Sequence, residues 1–475
     1  MLGGGAPRGR VYLVEGEPGS GKTTLGLQFL LAGAAAGERC LCVTLSESEE
    51  ELRAIAASHG WDLSGIEVLD LQSAMPPHGQ SNYTILQPSE VELGELTRGV
   101  IERIDAVRPT RVCFDSLSEV RLLARDPLRF RREVLAIKGE LASRGGTAML
   151  LDYRSDPAEI QSLVHGVVSL EHVPIEFGAD RRRLSVRKLR GSPFRGGYHD
   201  YRIRTGGIDV FPRIVAAESR GAGEPQPYPS GLAGLDQLLG GGIGTGTCTM
   251  LLGPSGTGKS TLASAWALEA ARRGDKAVVF LFDEAPATWT ARLRSLSLAP
   301  DEHLRHGRIE LVPIDPAEVS PGEFGSLVQR HLDDGVRVVV LDSINGYLNA
   351  MPSVDFLGLH LHELLHLLRN RGAVTLLTMS QHGILGQRVQ SPVELSYMAD
   401  TVLLLRYFEA FGEVRKALSV MKKRHGAHES TIRELRLSTG EGIVVGGRLT
   451  EFQGVLGGSP RYVGTAPPAR DEADA

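Results

Sequence analysis

The sequence predicts an α/β protein made of two tandem domains, each a mainly parallel sheet flanked by helices with antiparallel hairpins appended. Three observations carry this. Short apolar runs alternate with Ala/Leu-rich helical stretches; one strand–turn–helix pattern occurs twice; and five further-spaced landmarks recur in the same order in both halves. The chain has 475 residues, 42% hydrophobic and 23% charged, enough to bury a core in each of two domains of ordinary size.

Arg10 to Glu15 reads as a strand, Gly16 to Thr23 as a glycine-rich turn and Thr24 to Ala36 as a helix. Thr247 to Leu252, Gly253 to Ser260 and Thr261 to Arg273 repeat that order. An offset of 237 residues separates Lys22 from Lys259 and Glu47 from Glu284; it is 227 for Asp115 and Asp342, and 234 for both Lys188/Lys422 and Arg190/Arg424. Differences of loop size in one fixed order indicate a duplication. Gly166 to Tyr201 and Asp400 to Leu437 read as the antiparallel strands. The expected division is a first domain over 1–217, a Pro/Gly-rich linker over 218–229, a second domain over 230–455 and a disordered tail over 456–475.

Charge and cysteine usage narrow the class. A formal net charge of -5 and a pI near 6.3 supply no basic field of the kind that drives nonspecific nucleic-acid binding, so nucleic acid is not the expected partner. Arg181 to Arg183, with Arg202 and Arg204, are the only arguable basic clusters. Cys40, Cys42, Cys113 and Cys248 form no C-x-x-C pair, which suits buried thiols in a reducing compartment. Neither a signal peptide nor a run of about 18 apolar residues is present, so the expected location is the cytoplasm, with no membrane partner.

The chemistry begins in the glycine-rich turns. GEPGSGKT (Gly16 to Thr23) and GPSGTGKS (Gly253 to Ser260) both fit G-x-x-x-x-G-K-[ST] between a strand and a helix, the arrangement that cradles nucleotide phosphates. Backbone N–H groups of Gly16, Gly19, Ser20 and Gly21, and of Gly253, Ser255, Gly256, Thr257 and Gly258, would wrap the phosphates. Lys22 and Lys259 would place a cation on them, and Thr24 and Thr261 open the helices whose N-termini favour negative charge. Thr23 and Ser260 would give a hydroxyl to Mg²⁺. The metal needs a carboxylate opposite, and RVCFDS and VVVLDS place Asp115 and Asp342 at the tips of buried strands. A group must also polarise the attacking water: Glu47 and Glu284 are matched at the end of the strand after each P-loop helix, with Asp283 beside Glu284 but Ser46 beside Glu47. Glu49, Glu50 and Glu51 read as first-turn helix carboxylates.

With SGLAGLDQLLGGGIGTGT (Ser230 to Thr247), RKLRGSPFRGGYHDYRI (Arg187 to Ile203) and DTVLLLRYFE (Asp400 to Glu409), the two P-loop halves resemble the KaiC family from Gly3 to about Pro460. That resemblance implies two RecA-like ATPase domains, a homohexameric double ring with ATP and Mg²⁺ between neighbouring subunits, and protein partners that read the nucleotide state. It also implies that Lys188 and Arg190, and Lys422 and Arg424, reach the phosphates of the adjacent subunit, as arginine fingers do. The second of these hairpins reads KKRHG where the first reads KLRG. Self-phosphorylation in the second half is a further implication. The acceptor pair reads Ser396-Tyr397, leaving Ser396 as the candidate phosphoacceptor of a serine/threonine autokinase.

Other classes stand beside this reading. A DNA-directed motor of the RecA, RadA or helicase type shares the fold, although this chain carries no four-cysteine module and no basic extension. A scaffold that merely holds ATP is a third class. His362-Glu363-Leu364-Leu365-His366 fits the zinc-protease pattern H-E-x-x-H, on a helix that should pack against the sheet and with no third ligand evident.

Overall fold

The computed structural model describes residues 1–71, 88–153, 158–175, 178–218, 221, 223–349, 357–381, 397–457 and 460–464. Ser396 lies outside them. The chain divides into two compact units, Met1–Arg213 and Ile214–Ala475.

In the first unit the strands are β1 (Val11–Gly16), β2 (Cys40–Thr44), β3 (Ile66–Asp70), β4 (Arg111–Asp115), β5 (Thr147–Asp152), β6 (Gly166–Val173), β7 (Arg181–Leu189), β8 (Tyr198–Arg204) and β9 (Gly207–Phe211). They form one sheet in the order β3-β2-β4-β5-β1-β6-β7-β8-β9. Pairing is parallel from β3 to β6 and antiparallel from β6 to β9. A parallel sheet needs both faces covered, which is why its strands are apolar throughout. Alternation sends Leu41 and Val43 to one face and Cys40 and Cys42 to the other. The first pair packs with Leu93 and Val100 of helix Pro88–Val107 and Phe130 and Val134 of helix Pro127–Ser143. The second packs with Leu27 and Leu30 of helix Lys22–Ala35 and Leu52 of helix Glu49–Ser58. All four cysteines are buried and free, and burial pushes the thiols of Cys42 and Cys248 up to about 12.

The second unit opens with the small pair β10 (Pro227–Tyr228) and β11 (Ile243–Gly244) around helix Ala233–Leu238. Its large sheet comprises β12 (Cys248–Gly253), β13 (Lys276–Leu281), β14 (Ile309–Pro313), β15 (Val336–Asp342), β16 (Val374–Ser380), β17 (Thr401–Ala410), β18 (Glu413–Lys423), β19 (Ile432–Ser438) and β20 (Gly442–Arg448). Its order, β14-β13-β15-β16-β12-β17-β18-β19-β20, repeats that of the first sheet position for position. Helix Lys259–Arg272 is buried on nearly every face, with Trp266 inaccessible, while helices Pro321–Asp333 and Leu357–Asn370 cover the opposite face.

Two boundaries differ from the composition-based ones. Ile214 is buried among Phe324, Leu361 and Leu364, and the Ala216 N–H donates to Glu363 at 3.0 Å, so residues 214–217 lie with the second unit. Past 455, β22 (Arg461–Tyr462) pairs with β21 (Phe452–Gln453), and the Tyr462 ring stands against Phe411 and Phe452. Regular structure therefore continues into the segment read as tail.

Candidate nucleotide sites

Each P-loop is a turn between the central parallel strand and a helix that starts at its lysine. Gly21 and Gly258 cap those helices in the left-handed conformation, with φ of 88° and 101°. A Cβ at Gly21 would lie 2.7 Å from Ile203 Cδ1, and one at Gly258 2.6 Å from Leu437 Cδ1, contacts that those side-chain tips could relieve by shifting, so it is the backbone angle that requires glycine. Tyrosines outside the motif brace the turns: Tyr201 Oη donates to the Ser20 carbonyl at 2.5 Å, and Tyr407 Oη to the Ser255 carbonyl at 3.1 Å. Lys22 Nζ donates to the carbonyls of Gly16 and Glu17 at 2.9 and 3.0 Å, and Lys259 Nζ to that of Pro254 at 2.8 Å. Burial pushes both lysines down, Lys259 to about 8; Asp342 opposes that shift, and Asp115, Asp152 and Glu47 oppose it at Lys22.

The strand tips bring the remaining groups to the same end of each sheet. Thr23 Oγ1 donates to Asp115 Oδ2 at 2.6 Å, and Ser260 Oγ to Asp342 Oδ1 at 2.8 Å. The peptide bond following each aspartate is cis. Both carboxyls are almost wholly buried, which raises their affinity for a proton against the hydrogen bonds they accept. A buried acid facing a hydroxyl beside a phosphate cradle fits Mg²⁺, which takes one or two protein oxygens and fills its other positions with phosphate and water. Bound there, the metal would neutralise charge on the β- and γ-phosphates.

The matched glutamates are not alike. Glu47 precedes the cap of its helix: Ser48 and Glu51 close a reciprocal capping box, which makes Glu49, Glu50 and Glu51 first-turn residues and leaves Glu47 outside. Among the described residues one Glu47 oxygen is buried without a hydrogen-bond partner, and burial together with Asp115 and Glu51 pushes its carboxyl up, against Lys22. Glu284 is instead gripped by Arg292, Nε to Oε1 at 3.2 Å and Nη2 to Oε2 at 2.7 Å. Asp283 accepts from Ser343 Oγ at 2.6 Å, where the first half has Ser46 and Ser116 hydroxyls 3.4 Å apart.

The hairpin cations are not brought to the P-loop of their own half. Lys188 is paired with Val167 and thence with Leu13, and the Arg190 N–H bonds to His165, which bonds to Val11 at the start of β1. In the second half Lys422 pairs with Val402 and thence Met250, and the Arg424 N–H bonds through Asp400 to Cys248 at the start of β12. Five residues of strand, on the order of 16 Å, separate Arg190 and Arg424 from the P-loop ends of those strands. Arg424 and Arg369 both pair with buried Asp400, at 3.3 and 2.9 Å, beside a 230 Å³ cavity that His362 and His366 also line.

On the H-E-x-x-H helix the His362 and His366 rings are 4.4 Å apart, but Glu363 is occupied in accepting from Ala216. Among the described residues no group of three or more His, Cys, Asp or Glu side chains is gathered to hold a metal. Nor is any described helix long and apolar enough to cross a membrane. Reading the sequence missed Arg292, Thr378, whose Oγ1 donates to Asp342 at 2.5 Å, and Asp152, a buried acid tied to Arg121. Asp152 ends an apolar strand as Asp115 does, a signal present in the sequence; Thr378 and Arg292 carry none.

A parallel sheet with a P-loop on its central strand, an acid two strands away at the same end and antiparallel strands beyond defines a RecA-like P-loop NTPase, here duplicated. The chain belongs to the KaiC ATPase family: the KaiC domain profile matches residues 1–214 and again 228–450. Among its relatives, the circadian clock oscillator protein KaiC of Acaryochloris marina is 26% identical over 492 residues, covering 97% of this chain and 89% of its own length. The protein of the same name from Synechococcus elongatus is 26% identical with the same coverage, and the circadian clock protein KaiC3 of Synechocystis 24%, with 97% and 92% covered.

Proposed function

We propose that both halves bind and hydrolyse ATP·Mg²⁺ and that six chains form a double ring in which each nucleotide is completed by the neighbouring subunit. The placement of the hairpin cations carries this reading. Each half gathers a P-loop lysine, a hydroxyl and a buried acid at one end of its sheet, while Lys188, Arg190, Lys422 and Arg424 stand toward the other. A cation needed at the γ-phosphate must then come from another chain, as an arginine finger in trans. Nucleotide in the interface would couple its occupancy to assembly and to the surface offered to protein partners. The activity proposed is hydrolysis.

Light scattering tests the ring. Saturating ATP and magnesium should convert the chain to a hexamer, and the pair Arg190→Ala/Arg424→Ala should stay smaller while still binding nucleotide. A wild-type monomer under those conditions refutes the assembly. Single-stranded DNA should leave the ATPase rate unchanged; strong stimulation would favour a DNA motor instead.

Affinity at the second P-loop should also depend on pH. Phosphates favour charged Lys259, whose pKa near 8 reflects the free protein. Below that value the lysine is charged before and after binding, and affinity is flat. Above it binding takes up a proton, so affinity falls by up to about tenfold per pH unit. Titration of a fluorescent ATP analogue between pH 7 and 9, with Lys22→Ala removing the first site, checks this; a constant affinity would mean that binding takes up no proton at Lys259 over that range.

A further inference from the structure

Helices Glu49–Ser58 and Pro286–Ser295 are the same element in the two halves, displaced by the 237 residues that separate Lys22 from Lys259. Their packing keeps that register: Leu52 and Trp289 occupy the matching position, and both are fully buried. One helical turn further on the register sets Ile55 against Arg292. Ile55 packs on the apolar cluster beneath the first site. Arg292 instead turns to the nucleotide site, holding both oxygens of Glu284 and donating through Nη1 to Thr261 Oγ1 at 2.8 Å, the residue after the P-loop hydroxyl. Glu284 and Arg292 are each about four-fifths buried, so the pair is shielded from the screening that weakens surface ion pairs.

A carboxylate with both oxygens on one guanidinium is pinned by a charge-assisted, two-pronged contact and is not free to swing toward a water. Among the described residues its matched Glu47 has no such partner, and one of its oxygens is buried without a hydrogen bond. Building on the hydrolytic reading, we propose that Arg292 is a positioning residue that holds Glu284 away from the attacking water, restraining hydrolysis in the second half. The first half, with isoleucine at that place, has no such restraint. Asp283, whose Oδ2 accepts from the Ser343 hydroxyl, is the carboxylate left to act in the second site.

The test uses the full chain with Lys22→Ala, so that only the second site turns over. Arg292→Ile should raise kcat about tenfold, within the 10² or more that a positioned base contributes, with ATP still bound. The gain should vanish when Glu284→Gln is added, and it should appear in kcat with the KM for ATP unchanged. Arg292→Lys keeps the charge but not the fork; it should give a smaller gain and serves if the isoleucine variant does not fold. In the first half, with Lys259→Ala, Ile55→Arg should lower kcat. An unchanged or reduced kcat for Arg292→Ile with ATP bound, or a gain that survives Glu284→Gln, overturns the restraint. If the parent binds ATP at the second site without turning it over, the hydrolytic reading itself fails, and the restraint with it.

Discussion

Replacing Lys259 with alanine should remove one of two bound nucleotides per chain, and Lys22→Ala should remove the other. Each lysine is the only P-loop side chain carrying a full positive charge, and each is held at the turn by its own carbonyls, Gly16 and Glu17 or Pro254. Those contacts place the ammonium at the mouth of the cradle, ready to exchange carbonyl oxygens for phosphate. Truncating one partner of a buried charge pair costs about 2–5 kcal/mol, so affinity at the altered site should fall by roughly 30- to 4,000-fold. The other site should be untouched, because the two P-loops stand in separate compact units. Counting nucleotides retained per chain, with binding titrations, reads both effects. Two nucleotides bound at wild-type affinity in both variants would show that these turns are not the binding sites.

Glu47→Gln should silence the first site while leaving ATP bound. Ser46 provides no carboxylate there, and its hydroxyl instead faces Ser116, so Glu47 has no adjacent carboxylate to act in its place, whereas Glu284 has Asp283. A positioned base contributes about 10² to 10⁴ in rate, and that loss should appear in kcat rather than in affinity. Burial and the charge of Asp115 hold the Glu47 carboxyl above its ordinary range. A base works only when ionised, so wild-type turnover should fall as pH drops through that raised pKa, and the glutamine variant should lose this limb. Single-site turnover in a Lys259→Ala background, followed across pH, makes the measurement. Turnover at the wild-type rate would place the first half's catalytic group elsewhere.

Local sequence determined a great deal about this protein. A P-loop is contiguous, its glycines answer to backbone angles within eight residues, and its flanking strand and helix declare themselves by period. Asp115 and Asp342 could be found because a parallel strand buried on both faces is apolar until it ends, which makes a terminal acid conspicuous. Repetition at a nearly constant offset then tied these local features into two copies of one fold. What the tertiary structure alone decided is which of the matched groups are engaged. Arg292 on Glu284, Thr378 on Asp342 and Glu363 on the Ala216 amide join residues that no periodicity relates. The domain boundary shifted by a few residues for a similar reason: proline and glycine mark where the chain is exposed, but which core accepts Ile214 is a matter of packing. The hairpin cations could be recognised from their motif, yet only the strand register, running Arg190 through His165 to Val11, set them at the far end of their own sheet. Backbone geometry is written locally and can be read locally; the pairing of distant side chains exists only once the chain is packed.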